Sequence, residues 1–277
     1  MQLKINKQLI DLTSPIVMGI VNVTPDSFFA GSRFNSNKSI LNSVEKMLSE
    51  GASIIDIGGY STRPMAENIT DEEEIGRLSK ALEIILPKFP DIKISVDTFR
   101  ASVARHVVKN YNIGMINDIS GGNLDNFMFE TIADLKVAYV LMHTRGNPQN
   151  MQNMTDYNFL ISEIIDFLQR KIVQLHLLGV HDVVIDPGFG FAKTTAQNFE
   201  ILNKLHYFKE LKMPILAGLS RKSMLYKTLD IEPADALNAT TAANVLALQG
   251  GASILRVHDV KEAMQAIKIY KSYMQSV

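Results

Sequence analysis

The chain has 277 residues, of which 46% are apolar and 21% are charged, and its formal net charge is −1. This composition is that of a folded globular protein, and the balanced charge excludes the strongly basic surface that nucleic-acid or membrane binding requires. The chain contains no cysteine, so disulfides, thiolate metal ligands and a thiol nucleophile are excluded. With no apolar run of about eighteen residues, we expect a cytoplasmic protein that acts on small molecules.

Short apolar runs recur along the whole chain, after an opening segment, residues 3–12, that predicts a β-hairpin. There are eight of them, at residues 16–21, 54–57, 94–96, 115–116, 137–142, 183–185, 215–217 and 254–257. Each reads as a continuous apolar run and not as an alternation of apolar and polar residues, which is typical of a parallel strand that is covered on both faces. Between the runs, apolar residues recur at three- and four-residue steps, as at Leu160, Ile161, Ile164, Ile165, Leu168 and Ile172, and this period predicts helices.

Eight alternating strands and helices favour a closed barrel over an open doubly wound sheet. We therefore expect an α/β fold consisting of one (β/α)8 TIM-barrel domain over residues 1–277, with the N-terminal hairpin closing the barrel floor. Active sites of such barrels lie at the carboxyl ends of the strands. Polar residues follow all eight predicted strands, and they include Asn22, Asp97, Asn117, His143, Asp186, Ser220, Lys222, Arg256 and His258.

Two acids and an amide in this set indicate a site for a flat heterocycle. Asp97, Asn117 and Asp186 would lie deep in the mouth, where a carboxylate is costly to bury unless hydrogen-bond donors surround it. A heterocycle with several N–H groups could supply those donors. The alternative is structural: each Asp could cap the following helix or pair with a neighbouring Lys or Arg.

A second set is cationic and predicts an anion site. Arg63, Arg256 and His258, with Lys222 nearby, would lie beside the hydroxyl of Thr62 and the Gly58-Gly59 turn, and Arg is well suited to forked binding of phosphate. The alternative is that these are solvated charges on the rim. Residues 24–37 and 63–70 are expected to form long loops that close over a substrate, or else ordinary surface loops.

Seven motifs in this order resemble the dihydropteroate synthase family. They are I-V-N-V-T-P-D-S-F at 20–28, D-I-G-G-Y-S-T-R-P at 56–64, S-V-D-T at 95–98, I-N-D-I at 116–119, D-P-G-F-G-F at 186–191, G-L-S-R-K-S at 218–223 and R-V-H-D at 256–259. The resemblance implies a transferase of folate biosynthesis, the target of sulfonamides. Such an enzyme joins p-aminobenzoate to 6-hydroxymethyl-7,8-dihydropterin diphosphate with Mg²⁺, releases pyrophosphate and forms 7,8-dihydropteroate. It also implies a homodimer built from the late helices.

The resemblance also implies a role for particular residues. It assigns the pterin ring to Asp97, Asn117, Met142, Asp186, Gly218, Lys222 and Arg256. It assigns the diphosphate to Asn22, Thr62, Arg63, Arg256 and His258, with Asn22 also a ligand of Mg²⁺. It assigns p-aminobenzoate to Thr62, Pro64, Phe191, Ser220 and Lys222. The catalytic residues would be Asp97, Asp186, Lys222 and Arg63.

The chain departs from the family pattern in the two long loops. Ala30 stands where the family usually has a second loop carboxylate, Tyr60 replaces a common acidic residue, and Met65 replaces a common glycine. These changes predict altered loop closure and altered affinity for p-aminobenzoate or sulfonamides. Two other hypotheses stay open from the residues: a pterin-binding methyltransferase-type barrel, which would lack a diphosphate site, and a non-catalytic pterin-binding barrel.

Overall fold

The eight predicted strands form a parallel barrel in the computed structural model of the chain, which describes residues 1–24, 33–60 and 68–276. The strands are β1 (Gln2–Ile5), β2 (Gln8–Asp11), β3 (Ile16–Asn22), β4 (Ile54–Gly58), β5 (Ile94–Asp97), β6 (Met115–Asp118), β7 (Ala138–Met142), β8 (Val183–Asp186), β9 (Leu216–Ala217) and β10 (Ile254–Val257). The barrel strands lie in the order β8-β7-β6-β5-β4-β3-β10-β9. A parallel bridge between Ile185 and Ile215 joins the two ends of this sheet and confirms the predicted barrel.

Helices cover the outside of the barrel. They are α1 (Arg33–Ser49), α2 (Asp71–Lys88), α3 (Ala101–Tyr111), α4 (Met128–Leu135), α5 (Leu160–Leu177), α6 (Thr195–Asn203), α7 (Ser223–Leu229), α8 (Leu237–Gly250) and α9 (Val260–Gln275). Of the residues that carry the helical period in α5, Leu160, Ile164, Leu168 and Ile172 are buried on its inner face. Ile161 and Ile165 are partly buried and pack against the same core. Within the described ranges, no helix has the length and hydropathy that crossing a membrane would require.

The two long loops differ in part from the prediction. The first loop was expected to span residues 24–37. This prediction is wrong at the C-terminal end of the loop, because α1 already begins at Arg33. Residues 25–32 and 61–67 lie outside the described part of the chain, so the predictions that concern Ala30, Thr62, Arg63, Pro64 and Met65 lie there too. The second loop ends at Thr70, whose hydroxyl accepts from the Glu73 N–H in a capping box that starts α2.

Several strands run one or two residues beyond their predicted ends and take in polar residues. Asn22, Asp97, Asp118 and Asp186 are each the last residue of a strand rather than the first residue of a loop. The backbone hydrogen bonds of the sheet therefore hold these residues, and the pleat determines which way each side chain points. This rigid placement is what a binding site at the mouth of the barrel requires.

The N-terminal hairpin closes the barrel floor, as predicted. Leu3 and Ile5 of β1 are buried and pack in one cluster with floor residues of the barrel strands, which include Met18, Ile54, Met115, Val140, Val184, Leu216 and Ile254. The turn between β1 and β2 places Asn6 and Lys7 at φ values of 48° and 62°, as a two-residue hairpin turn demands.

The floor contact predicts a large difference between two apolar residues of the hairpin. Ile5→Ala should lower the free energy of unfolding by about 3 kcal/mol, because it leaves a cavity under the barrel. Leu9→Ala is the matched control, since Leu9 is 65% exposed and should cost less than about 0.5 kcal/mol. Urea unfolding followed by circular dichroism measures both, and equal losses would contradict a hairpin that is part of the core.

Candidate active site

The strand register brings three of the predicted polar residues and one glycine, from four strands, into one row. Asn22 pairs with Gly58, Gly58 pairs with Asp97, and Asp97 pairs with Asn117 across β3 to β6. Residues paired in a parallel sheet point to the same face, so these side chains share one end of the barrel. A methyl group built on Gly58 would lie 3.4 Å from Asn22 Oδ1 and 3.6 Å from Asp97 Cβ, which places the Asn22 amide beside Asp97.

Arg256 links this row to the interior of the barrel. Its Nε donates to Asp56 Oδ2 at 2.7 Å, and its Nη2 donates to Asp97 Oδ2 at 2.7 Å. Asn117 Nδ2 donates to the same oxygen of Asp56 at 3.0 Å. The amide and one acid of the predicted ring site therefore form one hydrogen-bonded cluster with a base of the predicted anion site.

Asp56 is a site residue that the sequence reasoning missed, because it was treated as part of an apolar strand. It is fully buried, and its Oδ1 has no hydrogen-bond partner among the described residues. A carboxylate inside an otherwise apolar strand needs a cationic or amide partner. The sequence could therefore have indicated Asp56 as a site residue, because a buried acid needs a partner. Arg256, in the predicted strand at residues 254–257, is that partner.

The cluster changes the titration of its members. Burial raises the pKa of Asp97 to about 7, and the Arg256 guanidinium opposes that rise. Burial alone would lower the pKa of Arg256, but the carboxylates of Asp56 and Asp97 outweigh it and raise that pKa. Arg256 thus stays cationic, while Asp97 can exchange a proton near neutral pH.

Asp186 and Lys222 form a second acid–base pair at the same mouth. Asp186 Oδ1 accepts from the Gly188 N–H at 2.7 Å, and Lys222 Nζ donates to the Phe189 carbonyl. A methyl group built on Gly218 would lie 3.9 Å from Lys222 Nζ and 4.0 Å from Asp186 Oδ2. Gly218 therefore lies close to both charged groups, and no side chain of its own separates them.

The two charges of this pair influence one another. Burial lowers the pKa of Lys222 to about 8, and Asp186 opposes that change. Burial raises the pKa of Asp186, and Lys222 is the foremost opposing charge. Met142, the remaining apolar residue predicted for the ring, pairs with Asp186 in the sheet and is buried.

Ser220, Arg221 and His258 lie together at the ends of β9 and β10. The Ser220 hydroxyl accepts from the His258 N–H at 3.2 Å and lies 3.0 Å from its Nδ1. Arg221 instead donates from Nε and Nη2 to the two oxygens of Asp259, at 2.9 Å each. Ser220 and His258 are thus bonded to each other at the mouth, whereas Arg221 joins the start of α7 to the start of α9.

Tyr60, one of the departures from the family pattern, fills a structural role. Its hydroxyl donates to Asn68 Oδ1 at 2.7 Å, and Gln149 Nε2 donates to the same oxygen at 2.8 Å. Its ring packs edge-on against Phe99 at 5.2 Å. Tyr60 therefore connects the segment after β4 and the segment before α2 to the loop after β7.

Comparison with known proteins defines first a class and then a family. The family model for pterin-binding enzymes matches residues 18–258. The dihydropteroate synthase of Synechocystis is 43% identical over 256 residues, which cover 91% of this chain and 88% of that protein. The chain belongs to the pterin-binding enzyme family and, within it, to the dihydropteroate synthases.

Solved structures agree with this assignment. The dihydropteroate synthase of Yersinia pestis in complex with a sulfonamide drug is 37% identical, covers 99% of this chain and 100% of its own, and superposes with a TM-score of 0.92. That of Xanthomonas albilineans with 4-aminobenzoic acid is 36% identical, covers 100% of this chain and 98% of its own, and gives a TM-score of 0.91.

The buried pairing of Asp56 predicts that its charge stabilises the fold. Asp56→Asn should lower the free energy of unfolding by about 3 kcal/mol, because it removes one partner of a buried ion pair. Asp91→Asn, on the exposed segment before β5, is the control and should change little. Guanidinium unfolding at pH 8 compares the two, and a stability unchanged by Asp56→Asn would show that Asp97 alone suffices for Arg256.

Proposed function

We propose that this dihydropteroate synthase uses the mouth of the barrel to join p-aminobenzoate to 6-hydroxymethyl-7,8-dihydropterin diphosphate. The amino nitrogen forms a bond to the pterin methylene carbon, the bond from that carbon to the diphosphate oxygen breaks, and the nitrogen loses a proton. Pyrophosphate leaves with the electron pair. The observation that carries this assignment is the convergence of Asp97, Asn117, Asp186 and Lys222, with Arg256, at one end of the barrel.

The pterin ring would lie between the two acid–base pairs. The carboxylates of Asp97 and Asp186 would accept from its N–H groups, and Asn117 would both donate and accept. Met142 would pack against the ring, and the missing side chain of Gly218 would let the ring approach Lys222. The distances around Gly218 support this placement.

The diphosphate would lie on the Asn22 side of the ring, held by His258 and Arg256 together with Thr62 and Arg63. Mg²⁺ commonly keeps several waters and is held by few protein oxygens plus substrate phosphates. Asn22 fits such a site, because its side chain is exposed beside Asp97 and offers one amide oxygen. Mg²⁺ bound there with the diphosphate would neutralise charge on the leaving group.

The p-aminobenzoate site would lie beyond the ring, toward Phe191, Ser220 and Lys222, with Thr62 and Pro64 on its other side. Lys222 Nζ lies 4.8 Å above the centre of the Phe191 ring, so an apolar wall and a cation are present together. That combination suits an aromatic carboxylate.

The reaction needs no protein nucleophile in this proposal. Ionisation of the methylene–oxygen bond would give a cation that spreads into the pterin ring, and the aniline nitrogen would then attack it. Asp97 and Asp186 would stabilise that cation, and Arg63, Arg256 and His258 would stabilise the departing pyrophosphate. Fixed charges of this kind are worth about 3 kcal/mol each when they are removed singly.

Two further statements remain part of the proposal. We expect the protein to work in the cytoplasm. We also expect a homodimer formed through the late helices, where a groove of about 500 Å³ between α6 and α8 is lined by Phe199, Leu202 and Leu246. Leu246 is 52% exposed, which supports an apolar contact on this face.

Pyrophosphate formation tests the assignment directly. Purified protein with Mg²⁺ should release pyrophosphate only when both substrates are present. Asp97→Asn should reduce turnover by about a hundredfold or more while the circular dichroism spectrum stays unchanged, because the cation loses its nearest negative charge. Asp91→Asn serves as the exposed control. Near-normal turnover by Asp97→Asn would contradict the assigned role, and pterin binding without pyrophosphate release would favour a non-catalytic barrel.

The pKa shifts of Asp97 and Lys222 predict a bell-shaped pH dependence of kcat/KM. Activity should fall below about pH 7 as Asp97 takes up a proton, and above about pH 8 as Lys222 loses one. Lys222→Arg should keep a cation at higher pH and so move the alkaline limb upward, at reduced maximal activity. An alkaline limb that does not move in this variant would mean that another group causes it.

A further inference from the structure

Lys193 is a buried lysine that has no part in the proposed chemistry. It follows the turn after β8, and its side chain is 4% exposed. Its Nζ lies 2.9 Å from the carbonyl oxygens of both Gly188 and Phe191 and 3.1 Å from His143 Nδ1. A buried amine is tolerated only where such partners surround it, so the loop of residues 187–193 is built around this side chain.

The bonds from Lys193 to the loop persist in either protonation state. As an ammonium, Nζ donates to both carbonyls and to His143 Nδ1. As a neutral amine beside an Nδ1–H tautomer, it accepts from the imidazole and still donates to both carbonyls. Burial lowers the pKa of both groups; the charges that face Lys193 are Asp186, which opposes its shift, and Lys222 and Arg145, which add to it.

The same loop holds the proposed catalytic groups from its other side. The Gly188 N–H donates to Asp186 Oδ1 at 2.7 Å, while the Gly188 carbonyl accepts from Lys193. The Phe189 carbonyl accepts from Lys222, and the Phe191 ring lies under the Lys222 ammonium. One short segment therefore contacts Lys193 on its inner side and both members of the Asp186–Lys222 pair on its outer side.

The backbone of this loop is one that needs support. Gly188, Gly190 and Ala192 have φ values of 77°, 79° and 49°, and the left-handed region costs roughly 1 kcal/mol for a residue with a side chain. A methyl group on Gly188 would lie 2.0 Å from the His143 carbonyl oxygen, so the loop is also packed closely. Lys193 reaches both ends of this curled segment and can hold it in one conformation.

We propose that Lys193 is a positioning residue for the reaction: it holds the Gly188 and Phe191 peptides and, through them, the directions of the Asp186 carboxylate and the Lys222 amine. Its kinetic consequence rests on the proposed function. The orientation of Asp186, by contrast, is a property of the free protein and can be measured without substrates.

Lys193→Met tests this role, because methionine fills similar space and has no donor. Lys204→Met is the control, since Lys204 lies just past α6 and forms an exposed ion pair with Glu200. We expect kcat/KM for p-aminobenzoate to fall about tenfold or more in Lys193→Met, as small displacements of reacting groups commonly do. The control should match the wild-type protein.

A carboxyl titration separates positioning from mere packing. The ¹³Cγ signal of Asp186 is identified by its loss in Asp186→Asn and followed against pH without substrates. The pKa of Asp186 is lowered by the facing charges of Lys222, Lys193 and Arg256. The hydrogen bond from the Gly188 N–H lowers it as well. Lys193→Met frees the Gly188 peptide and so weakens the hydrogen bond from its N–H to Asp186 Oδ1, and the pKa of Asp186 should rise by about half a unit or more.

Each outcome decides the proposal. A rise in the Asp186 pKa together with lost turnover supports it. Wild-type turnover overturns it, and so does lost turnover with an unchanged Asp186 titration. If Lys193→Met does not fold, Lys193→Gln replaces it, because its shorter amide cannot reach both carbonyls; wild-type values from that variant overturn the proposal. If the wild-type protein releases no pyrophosphate, the proposed function fails, while the titration still tests the hold on Asp186.

Discussion

The placement of Arg256 between Asp56 and Asp97 is the interaction on which the rest of the site depends. Barrel interiors are filled mainly by apolar side chains, and a lone carboxylate there would take up a proton instead of staying charged. The guanidinium contacts both acids at 2.7 Å and so offsets part of the cost of burying them. Asn117, which donates to Asp56, is oriented by the same cluster. The direction of two proposed pterin ligands is therefore set by residues below them.

The sequence predicted the barrel, the hairpin floor and the polar mouth, because these depend on periodic patterns that parallel strands and amphipathic helices impose. It did not predict Asp56, since a single acid inside an apolar strand does not change the pattern of that strand. It placed Asp97 and Asp186 just beyond strands that in fact include them. The ends of the sheet are set by tertiary hydrogen bonds such as that from the Thr98 N–H to the Asn117 carbonyl, and local sequence carries little information about these.

Tyr60 shows why a departure from a family pattern is hard to interpret from residue type alone. From residue type alone, an acid at position 60 would be interpreted as part of the mouth. Its replacement by tyrosine would then be interpreted as a weakening of the site. In the structure the tyrosine makes a new set of contacts: its hydroxyl and Gln149 share Asn68 Oδ1, and Arg100 lies 5.2 Å above its ring. Arg100 in turn donates to the Ile69 carbonyl. Tyr60 therefore provides connections among three loops that surround the site, in place of a charge. The tertiary structure determines which residues meet at this position.

Arg256 was predicted for both the ring and the diphosphate, and its geometry is compatible with a further partner. Its contacts with Asp56 and Asp97 come from Nε and Nη2, which leaves the N–H bonds of Nη1 outside these pairs. A guanidinium that is already held by two acids loses little side-chain freedom when a further anion approaches. The same acids also reduce its net attraction for that anion, because their charges oppose that of the guanidinium. In the proposed reaction, only the part of this attraction that grows as charge builds up on the departing oxygen would accelerate the chemical step.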